Sequence, residues 1–411
     1  MKKILLAGLT IILCYSVSYG QEEECSLRLM PTQVTFFYPV GMFGLKAQDY
    51  SYLFSLNMLA GRTGGVDGFE VGGLININDC YMKGFQAAGI GNINAGFGDG
   101  FQSAGIFNIV EGKYNGFQSA GIFNITGGFC NAVQAAGIYN FSSGLNGAQF
   151  SGIASISDGK TSGMQCSGIL SIATKSSGLA QISGIANASD SIKGIQIGGI
   201  VNIAENIDGA QIGGIINMAD DVDGAQIGGI INVASNVKGL QLAGIINICD
   251  SINGIPLALF SYVRKNGYRK FEISTNEFTP VNITYKTGVK RFYTQFSLGY
   301  NNSIDNDFTY GFGLGTVLPL KNSRSSLNFV LNTTQFFRYY SDVNYTQLYS
   351  LSADYSINIL NKFEVFAGPR VNFLYSSRSY IAARFAPEWG RAFEYDNRWW
   401  GWIGYHAGIR F

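Results

Sequence analysis

The chain carries one histidine, His406, so a Ser-His-Asp relay or a histidine-rich metal site would have to be built on it alone. Carboxylates gather at Asp220, Asp221 and Asp223, but the Gly-Gly-x-Gly-x-Asp unit of calcium-binding β-repeats is missing, and a solvated turn is the simpler reading. The glycine-rich stretches do not open a helix, so they form no strand-to-helix phosphate loop. Polysaccharide-cleaving β-helices need acid and base residues clustered on one face, and no such cluster recurs here. Beyond the first twenty residues stand Cys25, Cys80, Cys130, Cys166 and Cys249. An odd number at irregular spacing, without Cys-x-x-Cys, reads as small buried apolar residues rather than a disulfide framework or zinc site. Cys80 and Cys130 stand about three repeats apart, roughly 14 Å, beyond disulfide reach. The expectation is no catalytic centre, no cofactor and no metal.

Residues 1–20 read as a secretory signal: Lys2 and Lys3 lead, Ile4 to Ser16 is a short apolar run, and Ser18-Tyr19-Gly20 offers a cleavage site. Ile12-Leu13 stand before Cys14 where a lipoprotein signal needs small residues. The run is too short to span a bilayer, and nothing later reaches eighteen uninterrupted apolar residues. A net charge of +1 leaves no basic footprint, so nucleic acid is not an expected partner. Only 13% of residues are charged while 14% are aromatic, which suits a β-rich protein with apolar surface to hide.

The elements that must position any site are set by a repeat. Gln86, Gln102, Gln118, Gln134, Gln149, Gln165, Gln181, Gln196, Gln211, Gln226 and Gln241 form a column with steps of 16 early and mostly 15 late. Glu70 opens the column and Pro256 closes it. Three residues after each glutamine comes glycine, then isoleucine, from Gly89-Ile90 to Gly244-Ile245. Two further on stand Asn92, Asn108, Asn124 and Asn140, then Ser155 and Ser171, then Asn187, Asn202, Asn217, Asn232 and Asn247. Strand-forming residues bounded by Gly, Asn, Asp and Ser make each unit β, and no proline interrupts 40–255. One unit cannot bury a face alone, but stacked copies can share a core, with amides laddered along each column.

Large and small residues alternate across the glutamine, as in Phe85/Ala87, Phe101/Ser103, Ala210/Ile212 and Ala225/Ile227. Residues two apart share a strand face, so the pair fills one volume, in the core or on another dry surface. The glutamine then points the other way, into a wet or amide-laddered column. Two architectures fit: a β-solenoid turn bent near the second glycine, or a transmembrane strand of a wide barrel. Barrel strands alternate in direction and would show a doubled period, whereas Asn206-Ile207-Asp208, Asp221-Val222-Asp223, Asn236-Val237-Lys238 and Ser251-Ile252-Asn253 look alike. The solenoid is expected, a rod of roughly 60 Å.

After Gly254 the pattern changes to long alternating strands, eight of them, near 270–276, 281–287, 292–300, 308–318, 327–335, 347–358, 363–374 and 402–411. One face is aromatic and apolar, the other small, polar or charged, as in membrane barrels. An eight-stranded barrel is filled by side chains, and Asp354, Glu364, Arg370, His406 and Arg410 are expected to form its polar interior. The even count puts both barrel ends in the periplasm, leaving 375–401, with Trp389, Trp399 and Trp400, to face outside. The repeats would then be periplasmic.

The expected organisation is all-β: signal peptide 1–20, N-terminal β cap 21–63, repeat array 64–260 and outer-membrane-type barrel 261–411. Signal, array and barrel together resemble the surface-repeat-containing proteins of Gram-negative bacteria, whose copies carry a similar Gly-x-Gln-x-x-Gly-Ile-x-Asn unit. The resemblance spans roughly 64–260 and implies an envelope location without catalytic residues. Phe411, in phase with the outward face, resembles the C-terminal signal of outer-membrane barrels and implies barrel assembly machinery and outer-membrane lipid as partners. The expected function is a structural, adhesive or ligand-presenting envelope protein. The alternative is a channel or transporter in which the repeats are transmembrane strands.

Overall fold

The structure, a computed structural model, describes residues 25–175, 178–301, 307–320, 324–337, 346–360, 363–376, 391–395 and 398–411. The leader at 1–20 and most of 377–397, including Trp389, lie outside the described residues. Two compact units divide the chain, Met1–Asp223 and Gly224–Phe411.

In the first unit every repeat pairs with the next in parallel and in register. Gln86 faces Gln102, Gln102 faces Gln118, and Asn92 faces Asn108. Parallel neighbours one period apart make each repeat a full turn of a coil, and the β-solenoid runs to about 13 turns. The same register overturns the wide-pore alternative, because adjacent transmembrane strands of such a barrel run antiparallel. Coiling also begins ahead of the array: Arg28–Phe37 already pairs in parallel with Tyr50–Gly72. The chain bends at the predicted Gly-Ile step, and a second bend falls two residues before the glutamine, where glycine stands in every turn except at Ala132 and Leu179. Gly100 (φ +130°) and Gly116 (φ +118°) show why: a Cβ on Gly116 would overlap the carbonyl oxygen of Gly100 in the turn before.

The second unit holds the parallel strands Ile231–Ala243, Ile246–Leu257 and Phe260–Val263, followed by an antiparallel barrel. Its strands are Tyr268–Asn276, Val281–Val289, Phe292–Asn301, Asp307–Pro319, Ser325–Phe337, Thr346–Leu360, Phe363–Ser376 and Trp399–Arg410. The last closes onto the first, with Ile273 opposite Ile409, so the eight expected strands form a closed ring. A further short strand, Arg391–Tyr395, hairpins onto Trp399–Arg410 outside that ring.

The cysteine expectation fails at one pair and at Cys166, which is only half-buried, on the outer surface of its turn. Cys25 and Cys80 form a disulfide, their Cα atoms 6.1 Å apart. Height along the coil limits only cysteines within the array, and Cys25 sits on the leading segment, beside the early turns. Cys130 and Cys249 are buried as expected, and burial pushes both thiols up to about 12.

Candidate functional site

The inside of the coil is polar. Every glutamine of the column is at most 2% exposed, and the asparagines are equally buried. An isolated buried amide costs stability, so these survive only because stacking supplies each with a partner. Gln102 Nε2 donates to Gln86 Oε1 at 2.7 Å, Gln118 to Gln102 at 2.8 Å, and the chain of donors continues through Gln134, Gln149, Gln165, Gln181, Gln196 and Gln211. Its first member, Gln86, donates to the carboxylate of Glu70. The second unit repeats the motif, Gln241 donating to Gln226.

The asparagine column runs the other way. Asn76 Nδ2 donates forward to Asn92, Asn92 to Asn108, Asn108 to Asn124 and Asn124 to Asn140. It breaks at Ser155 and Ser171, whose side chains are too short to bridge turns. There Asn140 keeps the backbone bond that the other asparagines also make, donating to the Phe150 carbonyl as Asn124 donates to that of Ala135, and loses only the ladder bond. The forward run resumes from Asn187 to Asn202 and Asn202 to Asn217, and in the second unit from Asn232 to Asn247. Two opposed ladders keep aligned amide dipoles from summing along the coil.

The apolar core is a separate column under the third side of each turn. Ile192, Ile207 and Val222 occupy it in the first unit and Val237 and Ile252 in the second, all almost fully buried, as the apolar mid-turn residues predict. Earlier, Met82, Val110, Tyr114, Cys130 and Leu145 cluster there. Of the two places expected for the glutamine's flanking residues, the core and another apolar surface, the structure selects the second. They lie on the outer surface, with Phe101 39% and Phe150 42% exposed. Along that surface Phe85, Phe101 and Phe117 stack at 5.3–5.4 Å.

The barrel lumen gathers the charges. Glu272 Oε2 lies 2.6 Å from Lys286 Nζ and 2.8 Å from Arg410 Nε, all three fully buried. Arg410 reaches towards Asp354 and Glu364, each at 3.7 Å. His406 Nδ1 is 3.2 Å from Asp354 and its Nε2 3.5 Å from Glu272. Arg370 donates to Ser350 at 2.6 Å, beneath the ring of Phe278. All five residues expected in the lumen are therefore inside it, with Arg370 one layer apart from the rest. Sequence reasoning missed Glu272 and Lys286, the centre of the network. The signal was available: each charge alternates with outward residues, Phe271 and Ile273 around one, Tyr285 and Thr287 around the other.

Among the described residues the lumen holds a cavity of about 30 Å³, lined by Glu272, Gln295, Arg370 and His406 among others. That is room for a water or two, not for a substrate. Among the described residues no cluster of His, Cys, Asp and Glu is arranged to hold a metal. No family model, curated protein or solved structure matches the chain.

Proposed function

We propose that the chain is a non-enzymatic outer-membrane protein, exported by its N-terminal segment and anchored by the barrel, with the solenoid as a rigid structural module. One observation carries this reading: the barrel is apolar outside and charged inside. Leu298 (68%), Leu331 (58%) and Ile403 (54%) point outward, while Glu272, Lys286, Asp354 and Arg410 are sealed within. That polarity suits hydrocarbon around the wall. The Cys25–Cys80 disulfide supports an oxidising compartment beyond the cytoplasm. The Gly-x-Gln-x-x-Gly-Ile-x-Asn unit supports a place among surface-repeat envelope proteins, with barrel assembly machinery as the insertion partner. The packed lumen argues for an anchor rather than a conduit, and His406 between two carboxylates is read as a lining residue of that polar interior.

The test is twofold. The full chain should fractionate with the outer membrane and migrate faster on a denaturing gel before boiling than after. Reconstituted in a planar bilayer, it should pass no resolvable current. Recovery in the soluble periplasmic fraction, or steady conductance steps, would overturn the reading.

A further inference from the structure

Each solenoid turn has three sides, and only one carries charge. In the turn 239–253 the inward residues are Gln241, Ala243, Asn247, Cys249 and Ile252, whereas Leu240, Leu242, Ile245, Ile246 and Ile248 point outward. The first two lie on the glutamine strand, the last two on the asparagine strand, and Ile245 stands on the edge where the strands meet. These five outward columns hold no Asp, Glu, Lys, Arg or His in any turn from Phe69 to Tyr262. Apart from the buried Glu70, the charges of that stretch fall on the third side, as at Asp190, Lys193, Glu205, Asp208, Lys238 and Asp250. The edge isoleucines remain open, with Ile185 at 42%, Ile200 at 40% and Ile245 at 43% exposure. Water beside such a surface costs free energy over its whole area.

We propose that these two uncharged outer faces and the Gly-Ile edge between them are a lipid-contacting surface, seated in the acyl region of a membrane leaflet. The inference rests on the outer-membrane reading above. Charge distribution is the first argument: two faces without an ionisable group match hydrocarbon, and the mixed acidic and basic third side matches water and headgroups. Shape is the second. A paired copy needs a self-complementary patch, but here the apolar faces diverge from a convex edge, so one flat partner covers only one of them. A fluid covers both.

The third argument lies within the second unit. There the last turn is packed on the outer wall of the barrel, not across its end. Thr294 Oγ1 donates to the Leu259 carbonyl at 3.1 Å and Thr287 Oγ1 to that of Ser261 at 2.7 Å. Phe260 stacks on Phe296 with ring centres 4.8 Å apart. Thr287, Thr294 and Phe296 all belong to outward columns of their strands, so the turn's apolar face runs directly onto the wall read as lipid-facing. Between them lies an apolar groove of about 540 Å³, with Tyr285, Leu298 and Phe312 on its barrel side.

Cys166 supplies a native probe. It occupies the outer column one residue past Gln165, while Cys130 and Cys249 are buried and Cys25 and Cys80 are bonded. The full chain would be spin-labelled at Cys166 and reconstituted into phosphatidylethanolamine–phosphatidylglycerol vesicles. Collision with oxygen, which concentrates in hydrocarbon, is then compared with collision with a water-soluble nickel chelate. Two controls carry the label elsewhere on a Cys166→Ser background, at Asp208→Cys on the charged side and at Leu298→Cys on the barrel wall. The oxygen-to-nickel ratio at Cys166 should match that at Leu298→Cys and exceed that at Asp208→Cys several-fold. A ratio at Cys166 equal to that at Asp208→Cys, with Leu298→Cys still oxygen-rich, overturns the lipid surface and leaves the anchor standing. A nickel-accessible Leu298→Cys brings down the anchor reading itself. Shielding of Cys166 from both reagents, with dipolar broadening between labels, means that a second copy covers the face, and likewise overturns the proposal.

Discussion

Gln86 Nε2 donates to Glu70 Oε2 at 2.8 Å, and through that bond a ladder of neutral amides ends on a carboxyl group. A terminal amide oxygen would serve the same donor, so the carboxylate is not needed for geometry. Glu70 also accepts from Asn57 Nδ2 at 3.0 Å and Ser55 at 3.3 Å, which gathers three side-chain donors on one carboxyl group at the start of the coil.

That site predicts a pH dependence. Glu70 is fully buried, and burial raises its carboxyl above the ordinary carboxylate range, although the hydrogen bonds from Gln86, Asn78, Asn57 and Ser55 oppose the shift. The folded state therefore holds its proton at pH values where the unfolded chain has released it. Stability is lost as pH rises from the unfolded value through the folded one. Glu70→Gln keeps the acceptor and removes the charge. Its melting temperature should exceed the parent's at pH 7, and the gap should shrink as pH falls towards 4.5. A gap independent of pH would show that Glu70 does not titrate across the transition.

Gln118 and Ser119 are neighbours with opposite fates. Gln118 donates to Gln102 and accepts from Gln134, both at 2.8 Å, whereas Ser119 lies on the outer face. Gln118→Leu strips a partner from two buried amides and should cost about 2–4 kcal/mol. Ser119→Ala should change stability by less than about 0.5 kcal/mol. Chemical denaturation followed by circular dichroism measures both, and equal losses would contradict the ladder.

Gly116→Ala places a methyl against the Gly100 carbonyl at a φ of +118°, which an L side chain rarely adopts. The loss should reach about 3 kcal/mol or more, because the stacked turns leave the backbone nowhere to move. Limited proteolysis should then cut within the neighbouring repeats, and an unchanged digestion pattern would argue against so close a stack.

Glu272→Gln leaves Lys286 and Arg410 without the carboxylate that lies between them. Removing one member of a buried ionic cluster typically costs about 3–5 kcal/mol. The temperature at which the folded, fast-migrating form disappears on a denaturing gel should drop. Adding Lys286→Met to Glu272→Gln removes one stranded cation and should restore part of the loss. A double variant weaker than the single one would refute the proposed pairing.

Much of this molecule is legible in its residues. The period of 15 or 16 marks the turns, the likeness of 206–208, 221–223, 236–238 and 251–253 favours coiling over zigzagging, and the alternation after Gly254 locates eight barrel strands. Alternation also sorts the side chains of each strand into two sets, with Gln and Asn in one and Phe and Ile in the other. Which set faces inward is not contained in that alternation. Hydrophobicity alone would bury Phe101 and Ile182 and expose Gln102 and Gln181. The coil does the opposite, because parallel in-register stacking brings each amide within hydrogen-bond reach of its copy in the next turn. That satisfaction exists only between turns, so no single repeat encodes it. The same holds for Cys25 with Cys80 and Glu272 with Lys286 and Arg410: partners distant along the chain become neighbours only once the coil and the ring have closed.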